Sequence, residues 1–593
     1  MQSRDQIKDQ YKWNLADLFS SDETWEEQFN IAKEQIKKFS SFKGRLADKN
    51  VLKEFFDFNH NLSPILERLY VYAKMNRDQD NGNNKYVSMC DRAYSLLTLS
   101  QAETSFVDPE LSALDDETLL LLSRDKDFEN NSIYLKELVR AKKHTLSEGE
   151  EKILALSLDM ASSFDTVFTM LDDVDMTFKP ITLDDGSTLE MSHGAYGMYL
   201  QNSSRNVRKQ AYESMYSAHI NCINTLASLY SSSVKKDLFY ARARNFATVL
   251  DAELFGGNIP KSVYTELICA VNENLPVLHD YVSTRKQLLN LNDMKMYDMY
   301  VPIVSKTEKK YSYEEAQELL KKALAPLGEE YIALLERAFS ERWIDVYETK
   351  GKTSGAYSWG AYGVHPYMLL NYQNRLEDVF TLAHEAGHSM HTYFSDKNLP
   401  YEKAQYRIFV AEVASTVNEV LLLKYLLNQT TDKLEQAYLL NHFLEQERTT
   451  VFRQTMFAEF ELLAHEQAEN GESLTVEWLN ATYAALNKKY YGDAVETDDF
   501  IATEWSRIPH FYNCYYVYQY ATGFSAAVAI ADKILTEGAP AVEKYLDFLS
   551  SGGSNYPVEL LKIAGVDLST NEPIKQNMLV FAENLQKFKE VVL

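Results

Sequence analysis

The sequence predicts a mainly α protein: a large helical body, two-lobed or cleft, with a small β-sheet beside one histidine-bearing helix. Three observations carry this. Apolar residues recur at mixed threes and fours over long stretches separated by charged side chains. Strand-forming residues combine with glycine in one place, between Gly351 and Tyr372. The run His384-Glu385-Ala386-Gly387-His388 sits inside a further helical stripe. At 593 residues the chain exceeds a single minimal core. We expect an N-terminal helical lobe over 1–190 and a metal-bearing region over 191–593.

Taken in order, the segments 22–39, 50–76 and 84–104 read as helices, with Pro64 and the polar run Asp78–Asn84 as breaks. Helical patterns continue through 116–124 and 147–158. Thr177–Leu183 and Ser187–Met191 are β-rich and flank Asp184-Asp185-Gly186, which predicts a hairpin. Helices resume over 204–245, 260–291 and 312–342.

Gly351, Gly355, Gly360 and Gly363 are interleaved with Tyr357, Trp359, Tyr362 and Tyr367. Glycine weakens a strand unless something approaches its backbone closely, and an extended peptide added to a sheet edge would do so. Gly355, Ala356 and Tyr357 are the candidate substrate-binding residues. An ordinary glycine-rich loop is the alternative.

The next helix is expected to start near Asn374, with Glu377 completing a capping box. Its stripe Leu376, Val379, Phe380, Ala383, Gly387, Met390 and Phe394 anchors one face. His384 and His388, slightly more than one turn apart, share another and can close on one zinc ion. Glu385, turned by about 100° from His384, is the candidate general base toward a zinc-bound water. Gly387 admits a close neighbour, at about 1 kcal/mol of helix propensity. His391 reads as packing or support for the site, and His465-Glu466 as a false start, because no second histidine follows.

A third ligand is still needed. The extended motif HExxHxxGxxH fails, since positions 391 and 394 are His and Phe. The apolar segment Phe409–Leu421 carries Glu412 and Glu419, two helical turns apart. A carboxylate among valines and leucines is costly unless paired or bound to a cation. One can bind the metal while the other accepts the free ring N–H of a ligating histidine. Spacing allows either assignment; we expect Glu412 as ligand and Glu419 as its support.

From His510 to Tyr520 the chain holds five tyrosines and a histidine. Phenol O–H or imidazole N–H groups aimed at a developing oxyanion would assist hydrolysis at a metal site. The alternative is a packed aromatic helix.

Composition narrows the partners. A net charge of −26, from 60 Lys+Arg against 86 Asp+Glu, disfavours nucleic acid and anionic membrane surfaces. Four scattered cysteines without a CxxC pair read as reduced thiols, and the polar start Met1–Lys8 shows no signal peptide, so a cytoplasmic location is expected. No uninterrupted apolar run approaches a membrane span. Oligomeric state is not legible.

Together these motifs resemble the thimet oligopeptidase and oligoendopeptidase F family of zinc peptidases, most closely its bacterial oligoendopeptidase F branch. The resemblance rests on Gly355–Gly360, Pro366–Tyr372, HEAGHSMH at 384–391, Phe409–Glu419, His510–Gly523, Ser551–Pro557, Gly565–Asp567 and Trp13–Leu18. It implies a deep channel with one zinc at its floor and endoproteolysis of short unstructured peptides. It supports His384, His388 and Glu412 as ligands and Glu385 as base. It also implies that His510 and following tyrosines contact the substrate carbonyl. The interval after His510 is shorter than in the thimet branch; we expect Tyr518, then Tyr515. Two other functions remain open: a zinc carboxypeptidase on a similar scaffold, and a non-catalytic peptide-binding protein with a structural zinc.

Overall fold

The computed structural model describes residues 3–183, 185–305 and 309–593. Helix accounts for 72% of the structure and strand for 3%. The helices that matter below are α1 (Lys49–Gln79), α2 (Ile223–Ala243), α3 (Leu376–Asn398), α4 (Ile408–Gln429), α5 (Arg453–Glu469) and α6 (Tyr518–Glu537). Seven short strands occur among the described residues: β1 (Ile181–Thr182), β2 (Thr188–Leu189), β3 (Met294–Lys295), β4 (Ile344–Asp345), β5 (Tyr357–Trp359), β6 (Tyr367–Leu369) and β7 (Val495–Glu496).

The chain divides into two compact units that are discontinuous in sequence. Unit 1 holds Met1–Lys143, Glu308–Leu426 and Ala527–Val566; unit 2 holds His144–Thr307, Leu427–Ala526 and Asp567–Leu593. The first crossing falls after Lys143 rather than at 190, and the chain returns to unit 1 for the histidine motif.

In unit 1, α1 runs unbroken through Pro64, where a break was expected. An internal proline costs about 3 kcal/mol. The buried stripe Leu62, Leu66 and Leu69 packs on both sides of it and offsets that cost. The helix ends instead at Asp80, where the Asp-Asn-Gly-Asn turn begins. The aromatic core of this unit includes Trp13, Trp25, Phe39, Phe55 and Phe128 and extends to Tyr367 and Leu369 of β6.

The sheet of unit 1 has the order β4-β6-β5. β6 is buried along its length and lies parallel to β4 and antiparallel to β5, with Tyr357 opposite Leu369 and Trp359 opposite Tyr367. Lys352, in the β4–β5 connection, is fully buried; its Nζ donates to the carbonyls of Tyr347 (2.7 Å) and Leu370 (2.6 Å) and pairs with Asp345 (2.7 Å). That clamp fixes the loop from which β5 emerges.

Unit 2 is built from helices, with the β1–β2 hairpin paired Ile181 to Leu189 and a parallel pair β3–β7. The expected hairpin is present but short, and Asp184 of its turn lies outside the described residues. The segment Gly149–Asp175 is long and apolar enough by composition to cross a membrane; charged residues interrupt it, so it is not an uninterrupted run. Ile153, Leu156, Leu158 and Met160 stand exposed on it.

Candidate active site

The site in unit 1 is made by α3 and α4. α3 starts at Leu376, after Asn374 has turned into the left-handed region (φ 64°). Asn374 therefore does not cap this helix, and Glu377 does not complete a box with it. Asp378 does the capping, accepting the N–H groups of Gln373 (2.9 Å) and Arg375 (2.8 Å). Such an acidic first turn also complements the helix dipole.

α3 and α4 meet backbone to backbone at Gly387. A Cβ there would lie 2.5 Å from the Ala414 carbonyl oxygen and 2.5 Å from Ser415 Cα. Backbone atoms cannot yield as a flexible side chain can, so any larger residue would force the helices apart. Asn418, fully buried, pins the same crossing: its Nδ2 donates to the Ala383 carbonyl (3.0 Å), and its Oδ1 accepts from Tyr331 (2.9 Å).

This crossing brings His384, His388, Glu412 and Glu419 together. His384 Nδ1 lies 2.5 Å from Glu419 Oε1, and with the carboxylate ionised the ring proton sits on Nδ1. His384 Nε2 therefore faces inward, 3.2 Å from His388 Nε2 and 3.2 Å from Glu412 Oε2; His388 Nε2 is 3.4 Å from the same oxygen. Nitrogen and oxygen ligands about 2.0–2.1 Å from a tetrahedral zinc lie about 3.3–3.4 Å apart. The three donors thus match a three-ligand zinc site. Their side chains are 30%, 18% and 49% exposed for His384, His388 and Glu412, so a further ligand has access.

The electrostatics agree with a cation site. Burial opposes charge on His384, yet its hydrogen bonds to Glu412 and Glu419 push it up to about 10. Burial would raise Glu412, but the two histidines hold it well below the carboxylate range. A proton thus occupies, on His384, the place a metal would take. Ser415 Oγ, 3.1 Å from Glu412 Oε2, steadies that carboxylate.

Glu385 is buried (6% exposed), and its Oε2 has no hydrogen-bond partner. Burial raises its pKa, against the pull of His384 and His388. His391 is fully buried and stacks on Tyr406 at 3.7 Å, with burial pushing it down to about 3. Its part is packing.

β5 is an edge strand; among the described residues it pairs with β6 alone. Ser358 Oγ, 2.7 Å from Ser389 Oγ, fastens it to α3 one residue beyond His388. Gly355, with φ 82°, and Ala356 line a recess of about 230 Å³ with Leu370, Asn371, Tyr372, Asp378 and Thr381. The Gly355 carbonyl is held by Asn371 Nδ2 (2.7 Å), and the Tyr357 hydroxyl donates to Asp78 (2.8 Å).

His510, Tyr515 and Tyr518 belong to unit 2. Tyr515 and Tyr518 are each 3% exposed, with rings 5.3 and 5.1 Å from Tyr264. His510 is exposed and instead groups with Tyr516 (6.4 Å) and Tyr520 (6.0 Å). A strict helical reading of the run missed this, because the segment is a 3₁₀ turn and a bend before α6 begins at Tyr518. Asn418, Ser415 and Ser389 were also missed. A polar residue inside an apolar helix was the available signal for Asn418.

Two histidines one turn apart on a helix, a carboxylate from a second helix and a buried free glutamate define a metallopeptidase in a helical body. The comparisons narrow the class. The family pattern Peptidase family M3 matches residues 198–580, and the pattern Oligopeptidase F matches 110–178. The chain is 44% identical to Oligopeptidase PepF of Bacillus subtilis over 592 residues, covering 100% of this chain and 88% of that one. It is 39% identical to Group B oligopeptidase PepB of Streptococcus agalactiae, covering 100% and 98%. The crystal structure of oligoendopeptidase-F from Enterococcus faecium superimposes with a TM-score of 0.74 at 36% identity, covering 96% and 99%. The chain belongs to peptidase family M3, in its oligoendopeptidase F group. It is a metalloendopeptidase acting on peptide bonds of oligopeptides.

Proposed function

We propose that this chain is a zinc-dependent endopeptidase of short unstructured peptides, with one catalytic zinc held by His384, His388 and Glu412. The observation that carries this reading is the set of three donors 3.2–3.4 Å apart, with His384 fixed by Glu419 and Glu385 buried beside them with a free oxygen. Bound zinc supplies a Lewis acid and lowers the pKa of a coordinated water.

The protein's own residues do the rest. Glu419 holds the Nδ1 proton of His384, which keeps Nε2 free to ligate and raises its basicity. Glu385, with a carboxyl raised by burial, takes the proton of the attacking water and later delivers it to the leaving amine. The free edge of β5, with Gly355, Ala356 and Tyr357, offers backbone N–H and C=O groups to an extended substrate. That geometry suits a chain without structure of its own.

For donors to the substrate carbonyl we propose His510 with Tyr516 and Tyr520. Sequence favoured Tyr518, then Tyr515, but both hydroxyls belong to side chains buried in unit 2, whereas His510 and its two ring neighbours are more accessible. Desolvation and the Arg453 charge lower His510, which favours the neutral imidazole, able to donate one N–H. A cytoplasmic location fits the four scattered cysteines, none in a CxxC pair.

The test is to digest one peptide with a free C-terminus and its amidated twin, and map the products by mass spectrometry. Identical internal cleavages support an endopeptidase. Loss of cleavage on the amidated peptide would mark a carboxypeptidase. Uncut peptides with a fully metal-loaded chain would mark a binding protein.

A further inference from the structure

Unit 2 contains a second convergence of metal-binding side chains that the peptidase chemistry does not use. Asp237 lies on α2, His465 on α5, and Cys514 in the bend before α6. One ligand atom from each lies within 4.8 Å of the others. Cys514 Sγ is 3.5 Å from His465 Nε2, and Asp237 Oδ2 is 3.5 Å from the same nitrogen. His465 is 1% exposed and the Asp237 side chain 8%.

Two chemistries can join a cysteine, a histidine and an aspartate, and the ring nitrogens separate them. In a nucleophilic triad the histidine uses one nitrogen for the thiol and the other for the carboxylate. Here both partners face Nε2. Nδ1 is 2.8 Å from the Glu461 carbonyl and must carry the proton to bond it, so in the neutral ring the lone pair is on Nε2. A thiol, a carboxylate oxygen and an imidazole lone pair pointing at one another form a ligand set. Sulfur and nitrogen at tetrahedral zinc, about 2.3 and 2.0–2.1 Å from the ion, lie about 3.5 Å apart.

Further carboxyl groups gather around the cluster, and burial pushes two of them, Glu253 and Glu461, toward their neutral forms. Lys236 pairs with Asp237 Oδ1 at 3.1 Å, which leaves Oδ2 turned toward His465. Glu461, fully buried one turn before His465, accepts the Tyr515 N–H at 2.6 Å through Oε1, while its Oε2 is without a partner. The electrostatic neighbourhood of Cys514 includes Asp237, Glu253 and Glu461. Tyr515 is held in the left-handed region (φ 48°), a conformation costing of order 1–3 kcal/mol for such a residue. The Glu461 bond maintains it, and the resulting bend directs Cys514 at His465.

We propose that Asp237, His465 and Cys514 form a second, thiolate-containing zinc site in unit 2. Binding converts the Cys514 thiol to a thiolate, with its proton released to solvent, and no redox change is involved. Asp237 offers a hard oxygen, but the thiolate is soft and the imidazole borderline, and those two select zinc or cobalt over magnesium and calcium.

Cobalt distinguishes this site from the one in unit 1, whose donors include no sulfur. The zinc-loaded chain should contain two zinc ions. The cobalt-loaded chain should show a thiolate-to-cobalt charge-transfer band in the near ultraviolet. His388→Ala should keep that band and lose the other metal, while Cys514→Ser should abolish it. Asp237→Asn, close in shape, should weaken binding at this site tenfold or more, and serves if Cys514→Ser does not fold. One zinc per chain with no such band in the unaltered protein would overturn the proposal. So would a band that survives in a folded Cys514→Ser variant, since Cys90, Cys222 or Cys269 would then be its source.

Discussion

The two histidine-centred clusters differ in what fixes the ring and in how far solvent reaches them. In unit 1, His384 gives its Nδ1 proton to the carboxylate of Glu419, and the ligand side chains are 18–49% exposed. In unit 2, His465 gives its Nδ1 proton to a backbone carbonyl, and the histidine is 1% exposed. A carboxylate partner orients the ring and increases its electron donation, whereas a carbonyl mainly orients it. An open donor set leaves room for a reacting molecule, and a buried one restricts its entry. The contrast fits the turnover proposed for the first cluster and points to no substrate at the second.

The largest expected effect removes the base and leaves both clusters intact. Glu385→Gln should lower kcat by ~10²–10⁴-fold or more while zinc content stays constant. Near-normal turnover would dismiss Glu385 as the proton carrier. Next come the hydroxyls of unit 2. Tyr520→Phe, and to a lesser degree Tyr516→Phe, should cost on the order of a hundredfold in kcat with little change in stability. Tyr515→Phe should instead act on thermal stability, and the reverse pattern in kcat and melting curves would return the role to the buried pair.

Smaller effects test the ring partner. Glu419→Gln should weaken metal binding by ~10–100-fold in a chelator competition, and leave a unit 2 metal in place. Without a metal, the hydrogen bonds to Glu412 and Glu419 push His384 up to about 10 against the effect of burial. Metal uptake at unit 1 displaces the His384 proton, so apparent affinity should fall by about tenfold for each pH unit lowered below that value. Competition titrations at two neutral pH values read this slope, and a flat profile would separate His384 from the metal.

Much of the fold was legible because helical periodicity is local. The segments 84–104 and 116–124 coincide with helices at Asn84–Thr104 and Asp116–Leu122. Pro64 was misleading because a proline's local cost was outweighed by burial that a linear reading cannot count. The unit 1 site was legible because its chemistry lies in two short runs at helical spacing. The cluster in unit 2 was not: His465 and Cys514 are 49 positions apart and Asp237 is on a distant helix, so His465-Glu466 looked like a failed motif. The left-handed residue at 515 likewise bears on which side chains of the tyrosine run face out, and a linear reading cannot see it.

The half-exposed Glu412 has a kinetic consequence. Besides the two histidines, Ser415 is within hydrogen-bond distance of its carboxylate. The helix crossing, fixed by Gly387 and Asn418, does not depend on that carboxylate. With an ion held there as proposed, a chelator would reach it by displacing this one carboxylate, without disturbing the helix crossing.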